Sequence, residues 1–338
     1  MNIDHVQRMR NEFFNAMECV YPPIGVGKTP HELLNEDKKL NFKLFRYGKD
    51  KGKILLIVPH IINRPYILDL DDDVSVVRKF CENGFSVYMF DWGYPSIEQR
   101  GISFSDYVHY LDKAVDSICR EQGTKRVSVL GYCTGGIISL IYASLFPEKV
   151  EKLILLATPV DFSRRHDPRI LWGVLFDVRG VVSFFGNVPG ELILLFGRNL
   201  FMYYFPFFSM SAEFNKEFLT FESWRNSMRM NRWFIDTPMI PGSAYIQFIE
   251  DCYQRNLLIK NKMRIDSRVI DLRKIRCPLL NILAEYDHIV PLSSGKALKD
   301  VYAGKSYEEI VFPSSHTGLS VSRDAHLNLW PKVCEWLG

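Results

Sequence analysis

Three residues of this sequence have the types, order and spacing that nucleophilic catalysis requires. Cys133 stands at the centre of Val129-Leu-Gly131-Tyr132-Cys133-Thr134-Gly135-Gly136, after a run of buried-strand character and before a helical pattern. Glycines on both flanks permit a sharp turn that lifts the central side chain above a sheet. A helix beginning there brings a positive dipole end and the Thr134 N–H, a donor for a developing oxyanion. A thiolate is favoured at a helix N-terminus beside an imidazole, and it attacks acyl carbons at neutral pH. By itself the segment also fits an inert buried cysteine beside a glycine turn.

A nucleophile on such an elbow needs a carboxylate and then a histidine further along the chain. Strand-like Leu279–Ala284 runs into Glu285-Tyr-Asp287-His288-Ile-Val-Pro291, which puts Asp287 just past a strand end. The next strand-like run leads to Pro313-Ser-Ser-His316-Thr-Gly318, with His316 in the loop that follows it. Either residue alone is ordinary; three residues at three required strand ends form an acyl-transfer site. His60 follows the first strongly apolar run, in the loop Pro59-His-Ile-Ile-Asn-Arg-Pro-Tyr66. A second oxyanion N–H should arise from that loop, and Ile62 is the expected donor, with His60 a packed or pocket-wall residue. His288 adjoins the acid too closely to be held by it in the usual way. His5, His31, His109, His166 and His326 carry no motif.

Such side chains need a sheet whose strand ends converge. The sequence offers one. FKLFRYG from Phe42 has strand character, and continuous apolar runs follow at 54–58, 85–90, 126–130 and 153–157. Helical patterns separate them at 74–83, 106–121 and 134–146. Continuous apolar strands alternating with helices predict an α/β fold, a mostly parallel sheet with helices on both faces. The alternation stops after Asp161 and resumes at Pro278. Roughly 110 residues intervene, rich in Phe, Met, Trp and Tyr, too apolar for a linker and suited to a helical cap. The expected division is a first core part over residues 1–165, a cap insertion over 166–270 and a second core part over 271–338. Residues 1–35 read as helical and then loop-like. The closing elements are a helix at 294–302, a strand at 308–312 and a helix at 328–337.

Composition narrows the function. The 42 Lys and Arg against 39 Asp and Glu leave a net charge of +3, too small and scattered for nucleic acid or a polybasic membrane surface. No phosphate-cradling glycine motif, histidine cluster or zinc-protease pattern is present, so no cofactor and no metal are expected. The seven cysteines, at 19, 81, 119, 133, 252, 277 and 334, include no pair at metal-ligand spacing. Reduced thiols in a cytoplasmic protein are the simplest expectation. The N-terminus has no signal-peptide run. The most apolar stretch, 192–210, is broken by Arg198, Asn199 and Pro206, so no transmembrane segment is expected.

Gly131-Tyr-Cys133-Thr-Gly135-Gly136 resembles the lipase-like box of polyhydroxyalkanoate synthases, in which cysteine replaces the lipase serine. Further matches follow in family order: Asn63-Arg-Pro-Tyr66, Asp91-Trp-Gly-Tyr-Pro95, Thr158-Pro-Val-Asp-Phe162, Gly186-Asn-Val-Pro-Gly190 and Asp287-His-Ile-Val-Pro291. They span the chain from about residue 50 to its end and look most like the short synthases that work with a second, non-catalytic subunit. One departure is Ser314-Ser315 before His316, where the family usually has two glycines. The resemblance implies an α/β-hydrolase fold with a helical cap. It also implies polymerisation of a short-chain (R)-3-hydroxyacyl-coenzyme A such as 3-hydroxybutyryl-coenzyme A, with Cys133 as acyl carrier, His316 as base and Asp287 orienting it. A homodimer, a companion subunit and association with the surface of polyester granules are implied likewise. Two other readings stay open: a cysteine hydrolase of the dienelactone hydrolase type, which is smaller and lacks the cap, and a non-catalytic granule-binding relative.

Overall fold

The computed structural model describes residues 25–163, 173–193 and 221–338. The helix expected within residues 1–24 and most of the aromatic stretch of the insertion, 194–208, lie outside them. An eight-stranded sheet forms the centre, in the order β1-β2-β4-β3-β5-β6-β9-β10. Its strands are β1 His31–Asp37, β2 Phe42–Gly48, β3 Lys53–Val58, β4 Phe85–Asp91, β5 Val127–Tyr132, β6 Val150–Leu156, β9 Leu279–Ala284 and β10 Tyr307–Phe312. From β4 across to β10 every neighbouring pair is parallel. Strand β2 runs antiparallel to β4, and β1 antiparallel to β2.

The continuous apolar runs are strands buried on both faces. Every residue of β4, β5 and β9 is buried. On one face, α2 (Phe104–Gln122) and α3 (Thr134–Leu145) cover the sheet, with Leu56, Val129 and Leu155 beneath them. On the other face α1 (Val76–Glu82) and the C-terminal α10 (Trp330–Leu337) pack on Leu55, Leu130 and Ile282. Helix α2 starts at a capping box, Ser103 with Asp106, and stops at Gly123 in the left-handed conformation.

Between β6 and β9 the chain forms α4 (Val178–Phe185), α5 (Phe221–Ile235) and α6 (Gly242–Gln247), a π-helical turn at Phe248–Gln254, and a two-stranded ribbon of β7 (Arg264–Ile265) and β8 (Arg268–Val269). After β9 come α7 (Leu292–Lys296), α8 (Leu298–Val301) and, beyond β10, α9 (Gly318–Val321).

Several expectations are corrected. Residues 31–35, read as loop, belong to β1. HELLNED has no strand-like alternation, and pairing with β2 overrides that local pattern. His31 packs on Phe45 and Tyr47 with ring centroids 5.1 and 5.0 Å away, and Arg46 pairs with Glu32 across the strands. The helix expected at 294–302 is two short helices that meet at Ala297. The last helical run begins earlier than expected, with a π-helical turn at Ala325–Leu329. The small β7–β8 ribbon has no signature in the sequence.

Candidate active site

The parallel strands all point their C-terminal ends at one edge of the sheet, and the candidate residues stand there. Cys133 follows β5 and caps α3, with φ +53° and ψ −117°. Such a backbone is strained for a residue with a side chain, and it persists where neighbours over-determine it. They do so here. The Cys133 N–H donates to Leu156 O at 2.9 Å, and its carbonyl accepts from the Gly136 N–H at 2.9 Å. A Cβ on Gly131 would come within 2.6 Å of the Gly136 Cα, and one on Gly135 would overlap the carbonyls of Val58 and Pro59. The helix therefore presses against the end of β3, which brings the loop after β3 beside the thiol.

Asp287 and His316 meet at the same edge. The Asp287 carboxylate divides its two oxygens. Oδ2 hydrogen-bonds His316 Nδ1 at 2.7 Å, and Oδ1 accepts from the N–H groups of Ile289 and Val290, each at 2.7 Å. The carboxylate is thus fixed by its own loop before it holds the ring. All three residues are nearly dry: Cys133 is 6% exposed, His316 6% and Asp287 9%. Tyr132 stacks on the His316 ring at 5.5 Å, and its hydroxyl donates to the His316 carbonyl at 3.3 Å.

Burial opposes a charged imidazole. The Asp287 carboxylate, Tyr132, Cys133 and the Asp287 hydrogen bond together outweigh it, so the His316 pKa is raised well above its ordinary value. The Cys133 thiol is close enough to contribute to that field. The ring is bound to Asp287 through Nδ1, which leaves Nε2 as the nitrogen for proton transfer.

Ser314 and Ser315 fit the histidine loop without glycine because neither takes a positive φ. The Ser315 hydroxyl accepts from the Gly318 N–H at 3.2 Å, and the Ser314 carbonyl accepts from the Tyr286 N–H at 3.0 Å. The second contact ties the histidine loop to the aspartate loop.

The Thr134 hydroxyl accepts from the Ile61 N–H at 3.0 Å, clipping the loop after β3 to the elbow. With Ile61 so engaged, the N–H groups of Thr134 and Ile62 make no hydrogen bond among the described residues. Trp92 supports the loop from behind, its Nε1–H donating to Pro59 O at 3.0 Å.

The remaining histidines have separate places. His60 is buried, its ring 5.1 Å from Tyr132 and 5.6 Å from Trp233, with Nδ1 accepting from the Asn63 N–H at 3.2 Å. His288 is half-buried beside Asp287. His109 pairs with Asp266 at the surface, and buried His326 donates to Ser320 O. His5 and His166 lie outside the described residues.

Sequence reasoning left two motifs without a role, and the structure supplies one: they attach the insertion to the core. The Arg64 guanidinium pairs with Asp91 at 2.6 Å and lies 4.3 Å over the Tyr94 ring. The hydroxyls of Tyr66 and Tyr94 both donate to Asp236, at 3.1 and 2.6 Å, just beyond α5. Trp233 Nε1–H donates to Arg64 O at 2.9 Å, and Arg229 pairs with Asp71. The signal was their position: each follows a strand at the same end of the sheet as Cys133.

Cys81, Cys119, Cys252, Cys277 and Cys334 are free, as is Cys133. Burial pushes the thiols of Cys81 and Cys334 up to about 11 and that of Cys277 up to about 12, as in inert packing residues. Cys19 lies outside the described residues. Among the described residues, no group of His, Cys, Asp and Glu is placed to hold a metal ion. Among them, no helix is long and apolar enough to cross a membrane.

Comparison with known proteins agrees with this fold. A family model described as the alpha/beta hydrolase fold matches residues 67–321. Among solved structures, a putative lipase from Sulfolobus solfataricus superposes with TM-score 0.60 at 16% identity, covering 90% of this chain and 91% of that one. The putative non-heme bromoperoxidase BpoC from Mycobacterium tuberculosis H37Rv superposes with TM-score 0.57 at 15% identity, covering 91% and 98%. Likeness at that identity speaks for the fold alone. Sequence relatives are nearer. The poly(3-hydroxyalkanoate) polymerase subunit PhaC of Thiocystis violacea is 35% identical over 99% of this chain and 95% of its own length. That of Synechocystis is 35% identical over 99% and 91%. The protein of that name from Haloferax mediterranei is 37% identical over 93% of this chain, which spans 64% of its length. With this likeness along nearly its whole length, the chain belongs to the poly(3-hydroxyalkanoate) polymerase subunit PhaC family, on an α/β-hydrolase fold.

Proposed function

We propose that this polyhydroxyalkanoate polymerase, a transferase, builds polyester from short-chain (R)-3-hydroxyacyl-coenzyme A through a covalent acyl group on Cys133. The observation that carries the reading is the strained Cys133 elbow beside the hydrogen-bonded Asp287–His316 pair. His316 Nε2 takes the thiol proton, and the sulfur attacks the thioester carbonyl. The Thr134 and Ile62 N–H groups hold the oxyanion. The carbon–sulfur bond to coenzyme A then breaks, and the imidazolium returns its proton to the leaving thiolate. In the second half His316 takes the proton of a hydroxyl, whose oxygen attacks the Cys133 acyl group. The ester bond forms as the bond to Cys133 breaks, and the imidazolium returns its proton to the Cys133 sulfur. Asp287 keeps the ring oriented and its charge favourable throughout.

Thioester-to-thiol exchange is nearly isoenergetic and leaves the acyl group reactive toward an alcohol. No cofactor is required, since the substrate carries its own activated acyl group. Water must be kept out, or the acyl-enzyme hydrolyses. A cap formed by residues 166–270 serves that purpose, anchored by the contacts of α5. Phe184, 82% exposed on α4, supports a role for this face in polymer or partner contact. A homodimer, a non-catalytic companion subunit and a cytoplasmic site on the granule surface complete the proposal.

The test is coenzyme A release from (R)-3-hydroxybutyryl-coenzyme A, with and without a companion subunit, while following high-mass polymer. Release with polymer supports the synthase. Release yielding only free hydroxy acid would mean a hydrolase, and silence in both conditions would mean a binding protein on this fold.

A further inference from the structure

His60 carries a hydrogen-bonding atom that the reaction outlined above does not use. It is 4% exposed, and its Nε2 has no hydrogen-bond partner among the described residues. A buried polar group left unpaired is costly, and in a folded protein it calls for a reason. The tautomer is fixed by geometry. Nδ1 faces the Asn63 N–H at 3.2 Å and must accept, so a neutral ring carries its proton on Nε2. The ring is neutral at working pH: burial, and then the positive field of His316, lower its pKa to about 3. His60 is therefore a fixed donor and not a second base.

Its location gives the donor a use. Tyr132, the residue before the nucleophile, has the His60 ring 5.1 Å away and the His316 ring 5.5 Å away. Trp233 of α5 packs edge-to-face on the His60 ring at 5.6 Å. The donor thus stands within the field of the catalytic base, on the loop that also carries Ile62. The proposed substrate has two oxygens near its reacting carbon. The thioester oxygen is taken by Thr134 and Ile62, which leaves the oxygen of the 3-hydroxyl.

We propose that His60 Nε2–H donates a hydrogen bond to the 3-hydroxyl oxygen of the bound acyl group, and so selects 3-hydroxyacyl over plain acyl thioesters. A donor-only partner suits this hydroxyl, because it occupies a lone pair of the oxygen and leaves the O–H free to donate elsewhere. The inference rests on the synthase reading.

Single-turnover coenzyme A release distinguishes the two. It would be measured with (R)-3-hydroxybutyryl-coenzyme A and with butyryl-coenzyme A, which lacks the hydroxyl. In His60→Phe, which keeps a ring against Tyr132 and Trp233, the preference for the hydroxylated substrate is expected to fall about 10- to 100-fold. In His60→Gln, which keeps a donor, most of that preference is expected to return. The readout is a ratio within one protein sample, so partial misfolding does not move it. An unchanged ratio in His60→Phe, or equal losses on both substrates, would overturn the assignment and leave the synthase reading standing. A wild type that releases coenzyme A from neither substrate would overturn both.

Discussion

At the residue scale the proposed chemistry depends on one carboxylate. Asp287 spends one oxygen on two backbone N–H groups and the other on His316, so its position does not depend on the ring it holds. Its charge is what raises the His316 pKa against burial. Activity needs the imidazole free to take a proton, so kcat/KM should climb as pH rises through that raised value. Asp287→Asn removes the charge, and the climb should move to lower pH, while kcat falls about 10²- to 10⁴-fold as orientation and charge stabilisation are lost. A pH–rate profile of the variant checks both parts; a climb at the wild-type pH would contradict the electrostatic role. Cys133, Asp287 and His316 were legible in the sequence because each follows an apolar run or a glycine turn. The environment of His60 was not legible, since it depends on Tyr132 and on Trp233 of α5, which are far from it in the chain.

At the element scale the site is held by attachments between α5 and the loops after β3 and β4. Asp236 accepts from Tyr66 and Tyr94, and both tyrosines are half-buried. In Asp236→Ala those hydroxyls lose their acceptor, and stability should fall by about 1–3 kcal/mol. Limited proteolysis should cut first near α5, before the core is attacked; unchanged protease resistance would show that the attachment lies elsewhere. The sequence announced the core strands because burial on both faces demands continuous apolar runs. It did not announce β1, whose polar residues become a strand only because β2 offers an edge to pair with.

At the scale of the whole molecule, the proposed catalytic residues come from both sides of the long insertion. β5 supplies Cys133, while β9 and β10 lead to Asp287 and His316. Pairing of β6 with β9 joins these parts into one sheet, and the apolar cluster containing Leu130 continues across the join to Ile282. The core should therefore unfold in a single transition. Ile282→Ala, at a fully buried position on that join, should cost about 2–5 kcal/mol and lower the whole transition together. Two separated calorimetric transitions, with only one sensitive to the variant, would contradict a single cooperative core. The central claim, a covalent acyl group on the thiol of Cys133, is tested most directly by mass spectrometry of the protein after brief mixing with (R)-3-hydroxybutyryl-coenzyme A. The predicted result is a hydroxybutyryl adduct on the peptide containing Cys133, absent from Cys133→Ala together with coenzyme A release and polymer. Polymer formation by Cys133→Ala at the wild-type rate, or an adduct on another residue, would contradict it.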